Sequence, residues 1–132
     1  MLVLDVSRAL DLLHQAGLVH MDVREDNVVK LPPPDSHHML IDLETVGTAG
    51  APVSPDQPPL RAWNSSTLNA GCFSAKSDMY LLGLMMGRLL RGCQSTPLSE
   101  RAQGLYRALI SPAAVSCPSA ADVCASVTGL LA

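Results

Sequence analysis

The sequence predicts an α+β fold in which helix dominates. Residues 2–16 and most of the chain beyond residue 74 carry apolar residues at helical spacing. Between them lie short β-branched and aliphatic runs separated by turn signals, then a stretch from 45 to 72 with neither period. The predicted order is one helix, a few short strands around a polar loop, a long irregular segment and three more helices.

The first helix is predicted over residues 2–16, because Val3, Val6, Leu10 and Leu13 recur at steps of three and four while Asp5, Arg8, Asp11 and Gln15 lie elsewhere. Gly17 stops it. "LVH", "NVVKL" and "HMLIDLE" read as short strands, with Pro32, Pro33, Pro34 and Asp35 turning the chain between the last two. His37 and His38 are read as loop residues, since neighbours on a strand point to opposite faces. From Thr45 to Cys72 the chain gathers Gly, Pro, Ser and Asn, so a long loop is expected there. Met79 to Leu90 is apolar nearly all round and predicts a helix buried on most sides, with Met79, Met85 and Met86 filling the core and Gly92 ending it. Arg88 and Arg91 are expected to cap its C-terminal end. Ser99 opens the next helix, whose Ala102, Leu105, Tyr106 and Leu109 share a face. Ser119 and Asp122 resemble a capping box before Val123, Val127 and Leu130. Neither Trp63 nor Tyr106 is given a functional part.

Composition bounds the function. A chain of 132 residues fits one domain, and 48% hydrophobic against 16% charged residues suffices for a core. With aromatics at 3%, leucine, alanine, valine and methionine must fill it. A net charge of −3 argues against a general nucleic-acid binder. Cys72, Cys93, Cys117 and Cys124 form no C-x-x-C pair and read as reduced. Asp5, Arg8 and Asp11 interrupt the first apolar run, so no signal peptide is expected, and no run reaches the length of a membrane span. The expectation is a soluble, cytoplasmic chain without membrane or nucleic-acid partners.

The chemistry concentrates in "LVHMDVREDNVV". His20, Asp22, Arg24 and Asn27 fall between two strands, where a tight loop aims carboxylate, amide and guanidinium groups at one spot. Asp42 follows "MLI" at the end of a neighbouring strand. Two carboxylates and a carboxamide on adjacent strand ends suit a hard cation such as magnesium, which takes oxygen ligands and keeps substrate phosphates in its shell.

These residues resemble the eukaryotic protein kinase-like superfamily. "HMDVREDN" is similar to the catalytic loop H-R-D-L-x-x-x-N, and "IDLE" to the metal-binding D-F-G segment. "KSDMYLLG" is similar to the helix opening S-D-V-x-S-x-G, and "CPSAADVCASV" to the R-P-S-A-x-x-V segment of the last helix. The four matches fall in family order along the chain. The resemblance implies Asp22 as the catalytic base, Asn27 and Asp42 as magnesium ligands and Arg24 as a catalytic, phosphate-contacting residue. It also implies His20 orienting the loop, and Asp78 tying down its backbone. ATP and Mg2+ are the implied cofactors. Residues 1–132 then read as a partial kinase domain: catalytic loop 20–27, metal-binding segment 42–44, activation-like segment 45–72 and helical remainder 76–132.

The departures are specific. No G-x-G-x-x-G loop, strand lysine or helix glutamate of the smaller lobe is found, so the expectation is a C-terminal lobe without its N-terminal lobe. Met21 replaces the loop arginine that reads a phosphorylated activation segment, and Glu44 replaces the glycine of D-F-G. The A-P-E glutamate and its arginine partner are both missing, the corresponding positions being Asn64 or Ser65 and Cys117. The loss of both leaves no unpaired buried charge.

Two functions of different class follow. One is ATP-dependent phosphoryl transfer to a serine or threonine of a protein substrate, if a small lobe completes the site. The other is a non-catalytic pseudokinase lobe that binds a protein partner through the face a small lobe would cover. A small-molecule phosphotransferase is favoured by "IDLE" and disfavoured by "SDMYLLG".

Overall fold

Helix α1 spans Leu2–Gln15, and the buried arc it presents is wider than four periodic positions: Leu4, Asp5, Val6, Ser7 and Leu10 are all covered. A computed structural model of the chain describes residues 1–93, 96–111 and 117–131, so parts of the helical remainder at 94–95, 112–116 and 132 lie outside the described residues. Strand β1 (Leu18–Val19) leads into the polar loop, which ends in a 3-10 turn at Glu25–Asn27. Strands β2 (Val28–Lys30) and β3 (His38–Leu40) form an antiparallel hairpin, with Val28 opposite Leu40 and Val29 opposite Met39.

Next come a second 3-10 turn, Leu43–Thr45, and β4 (Gly47–Thr48). Strand β4 pairs antiparallel with β1, placing Val19 opposite Gly47. The 45–72 segment is therefore not wholly irregular: its first residues close a two-stranded ladder on the strand that leads to the loop. Two residues per strand give no readable alternation, which is why the sequence pattern misses it. Beyond β4 the segment is held by turns and by isolated bridges from Cys72 to Pro52 and Asn69.

Helix α2 (Ala75–Leu90) begins at a Ser74–Ser77 capping box. Helix α3 is Pro97–Ile110, beginning two residues before the expected Ser99; Thr96 is its cap, Pro97 takes the first turn, and Ser99 closes the capping box. Helix α4 is Ala120–Leu131, and Ser119 and Asp122 bond reciprocally at its start. The exchanged hydrogen bonds hold the Asp122 carboxyl below its ordinary range.

The core lies between α1 and α4 on one side and α2 and α3 on the other. Val6, Leu10, Val19, Val23, Leu40, Phe73, Met79, Leu81, Leu82, Met85, Met86, Leu109, Ala120 and Val123 are its buried members. Methionines supply volume that scarce aromatics do not, because an unbranched thioether fills irregular gaps. Two glycines set the approach of α2 and α3. A Cβ at Gly83 would lie 2.8 Å from the Leu109 Cβ, and one at Gly87 would lie 2.6 Å from the Tyr106 ring. Their four-residue spacing puts both on one face of α2.

Asp5 departs from the amphipathic reading. It is 9% exposed and turns inward to accept hydrogen bonds from the His38 main-chain N–H and Nδ1, both at 3.0 Å. His38 is accordingly the first residue of β3 rather than a loop residue, and His37 Nδ1 also approaches Asp5, at 3.8 Å. Burial pushes the Asp5 carboxyl up, but the His38 hydrogen bonds and the histidine charges outweigh it, leaving it below the ordinary range. No helix among the described residues is long and apolar enough to cross a membrane.

Candidate functional site

The loop from His20 to Asn27 is built around its own main chain. Met21 adopts φ 74°, the left-handed region that side chains with a Cβ disfavour. Such a conformation persists where the surroundings over-determine it. Asp78, in the first turn of α2 and 0% exposed, accepts the His20 N–H at 2.8 Å and the Met21 N–H at 2.9 Å. His14, from the last turn of α1, adds a third bond to the same carboxylate at 2.9 Å. A buried charge is tolerable when it is paired and hydrogen-bonded in this way.

The carbonyls of the same two residues are met from the other end of the chain. Thr45 Oγ1 donates to the His20 carbonyl at 2.7 Å, and Trp63 Nε1 donates to the Met21 carbonyl at 2.7 Å. Trp63 stacks on Phe73 with centroids 5.5 Å apart. His20 itself is buried, and the Asp22 N–H meets its Nδ1 at 3.3 Å. A main-chain N–H only donates, so Nδ1 is the acceptor and Nε2 carries the hydrogen toward the Ile41 carbonyl at 2.9 Å. The imidazole thereby ties the loop to the residue just before Asp42.

Asp22 is 5% exposed. Asn27 Nδ2 donates to both the Asp22 carbonyl and its carboxylate at 2.8 Å. Arg24 Nε spans the two carboxylate oxygens at 3.1 and 3.3 Å, while its Nη1 donates to Asp26 at 2.7 Å. With the Asn27 amide hydrogens so used, its oxygen meets no donor among the described residues, and no buried polar side-chain atom is left unsatisfied among them. The Asn27 oxygen is therefore without a protein donor among them and not wholly closed to solvent, although the residue is only 4% exposed.

Asp42 sits differently. It follows β3 with φ 63° and ψ 71°, its side chain exposed and without a cap hydrogen bond. Among the described residues no three His, Cys, Asp or Glu side chains come together to hold a metal ion. Asn27 and Asp42 offer an amide and a carboxylate oxygen, the donor types that a hard cation such as magnesium takes alongside waters and substrate phosphates. Glu44, two residues on, is also exposed.

Several contributors carry no sequence signal. Arg88 does not cap its own helix. It crosses to Glu25 with Nε and Nη2 at 2.8 and 2.9 Å, a fork-on-carboxylate pair between α2 and the loop. The Arg88 hydrogen bonds hold the Glu25 carboxyl below its ordinary range, partly offset by burial. Trp63 and His14 are likewise found only in space. Thr45 was legible only as the start of the segment that runs to Cys72. Where an A-P-E pair would lie, Asn64 instead bonds Tyr80 and the Thr67 hydroxyl. Cys117 lines a cleft of about 340 Å3 with Ser66, Thr67 and Tyr80.

No protein-family model matches the chain, and no curated protein matches it in sequence. Among solved structures, its fold matches that of a divergent kinase lacking the glycine-rich loop, which regulates membrane ultrastructure of the Toxoplasma parasitophorous vacuole. The TM-score is 0.65 over 92% of this chain at 22% identity, and the chain spans 38% of the length of that structure. At that identity the likeness is one of fold: the chain has a kinase-like α+β fold.

Proposed function

We propose that the chain is the larger lobe of a phosphotransferase that moves the γ-phosphoryl group of ATP to a serine or threonine hydroxyl of a protein, with the rest of the nucleotide site supplied from outside these residues. The observation that carries this reading is the Asp22–Asn27 pair: a nearly buried carboxylate held by an amide whose own oxygen is left open. Asp22 accepts the proton of the attacking hydroxyl. Arg24 now bridges Asp22 and Asp26, and it is the cation that would meet incoming phosphate oxygens. Asn27 and Asp42 are the residues that would hold Mg2+, which when bound neutralises charge on the transferred group. The structural neighbour is itself described as a kinase lacking the glycine-rich loop, so the absence of that motif here does not weigh against the reading.

The test replaces Asp22 by Asn in the native polypeptide that contains the chain and follows label from γ-labelled ATP into protein. A loss of at least about a thousandfold with an unchanged melting temperature is expected of a base within a positioned site. Equal transfer by Asp22→Asn would overturn the reading.

A second reading is supported by the outer face of the β2–β3 hairpin. Val29 and Met39 lie directly opposite each other and are 40% and 47% exposed, and Leu43 beyond them is 62% exposed. Exposed apolar surface of this kind marks interaction sites. In this reading the lobe binds a protein partner without catalysis, and capture of that partner survives Asp22→Asn but not Val29→Glu.

A further inference from the structure

The peptide unit joining Met21 to Asp22 is fixed at both ends. Its carbonyl oxygen accepts from Trp63 Nε1 at 2.7 Å, and its N–H meets His20 Nδ1 at 3.3 Å. Because a peptide unit is planar and includes the Asp22 Cα, these two bonds fix where that Cα lies and the N–Cα axis from which its side chain is set. The left-handed Met21 would relax by rotating that plane, and the rotation would break the Trp63 bond. His20 belongs to the loop itself, whereas Trp63 belongs to the 45–72 segment. Trp63 is seated in turn: its ring stacks on Phe73, which is 1% exposed, and its main-chain N–H donates to the Leu60 carbonyl at 2.9 Å.

We propose that Trp63 is a positioning residue: its indole N–H sets the plane of the Met21–Asp22 peptide and makes the aim of the Asp22 carboxylate conditional on the 45–72 segment being seated. What Asp22 then does rests on the phosphotransfer reading; the geometry does not. The segment acts here through one hydrogen bond to a main-chain carbonyl, a route that needs no phosphorylated residue and no arginine at position 21.

Trp63 is the chain's sole tryptophan, so growth on benzothienylalanine exchanges one indole N–H for sulfur and keeps the ring shape and stacking. Amide hydrogen exchange at Met21 and Asp22 is expected to quicken roughly tenfold, the worth of one net hydrogen bond, with Leu82 and Met85 in α2 unchanged. In the transfer assay kcat should fall while KM for ATP stays the same. Unchanged exchange at Met21 and Asp22 overturns the proposal, as does faster exchange with an unaltered kcat. Faster exchange in a protein with no transfer at all leaves the geometry standing and sinks the phosphotransfer reading instead.

Discussion

Around Asp22 the preceding dipeptide has all four main-chain polar groups met by side chains from α2 and the 45–72 segment, whereas Asp42, at the end of β3, stands exposed with φ 63°. Both residues are carboxylates on the same small platform, joined through the His20 ring and the Ile41 carbonyl. The difference teaches a division of labour. The side that would handle a proton is preorganised by the chain itself, at the cost of a left-handed Met21. The side that would meet a cation is left open, because a carboxylate already tied to the protein has fewer lone pairs to offer a metal.

The sharpest way to break this comparison is Asp78→Ala, which strands the buried His20 and Met21 N–H groups. With each orphaned donor costing on the order of 1–3 kcal/mol, a loss of about 4 kcal/mol is expected in denaturant unfolding. A loss below about 1 kcal/mol would mean that the loop does not depend on its anchor.

Gly83→Ala asks whether the helix that carries Asp78 must sit tightly on α3. The new Cβ would meet the Leu109 Cβ at 2.8 Å, so overpacking of about 2 kcal/mol is expected in the melting curve. The exposed half should answer in the opposite sense. Asp42→Gly removes a side chain from a left-handed position and should stabilise by about 0.5–1 kcal/mol. Destabilisation there would reveal a protein partner for Asp42 and blur the contrast.

The smallest effect is expected at Glu25, where Arg88 holds the folded carboxyl below its ordinary 4.5. A depressed folded value means that the stabilisation is complete above the unfolded value and is lost as pH falls through the folded one. Both groups are partly exposed, so the pair is worth only about 0.5 kcal/mol. The stability gap between wild type and Glu25→Gln should therefore be steady near neutrality and close below about pH 4.

Much of this organisation was legible in the sequence because it is local. Periodicity located α1 and α2, and the Ser119–Asp122 spacing located the start of α4. The polar loop announced itself by density: four chemically specific side chains within eight residues have no packing reason to be there. What stayed hidden is long-range or too short to have a period. Strand β4 has two residues. Arg88 and Glu25 are 63 positions apart, and nothing in "GRLLRG" says that its arginine leaves its own helix. Trp63 lies in a segment without pattern, and its indole reaches back 42 positions to the loop. Asp5 looked like a solvent-facing charge because amphipathic reasoning does not anticipate a carboxylate turned inward to meet a histidine of another element.

The division between the two carboxylates is tested most directly by adding Mn2+ with ATP to the nitrogen-labelled protein and mapping which amide signals broaden. The account predicts broadening at Asn27 and at residues 42–44, abolished by Asp42→Ala and retained in Asp22→Asn. Broadening that survives Asp42→Ala, or that centres on Asp5 and the histidines beside it, would contradict it.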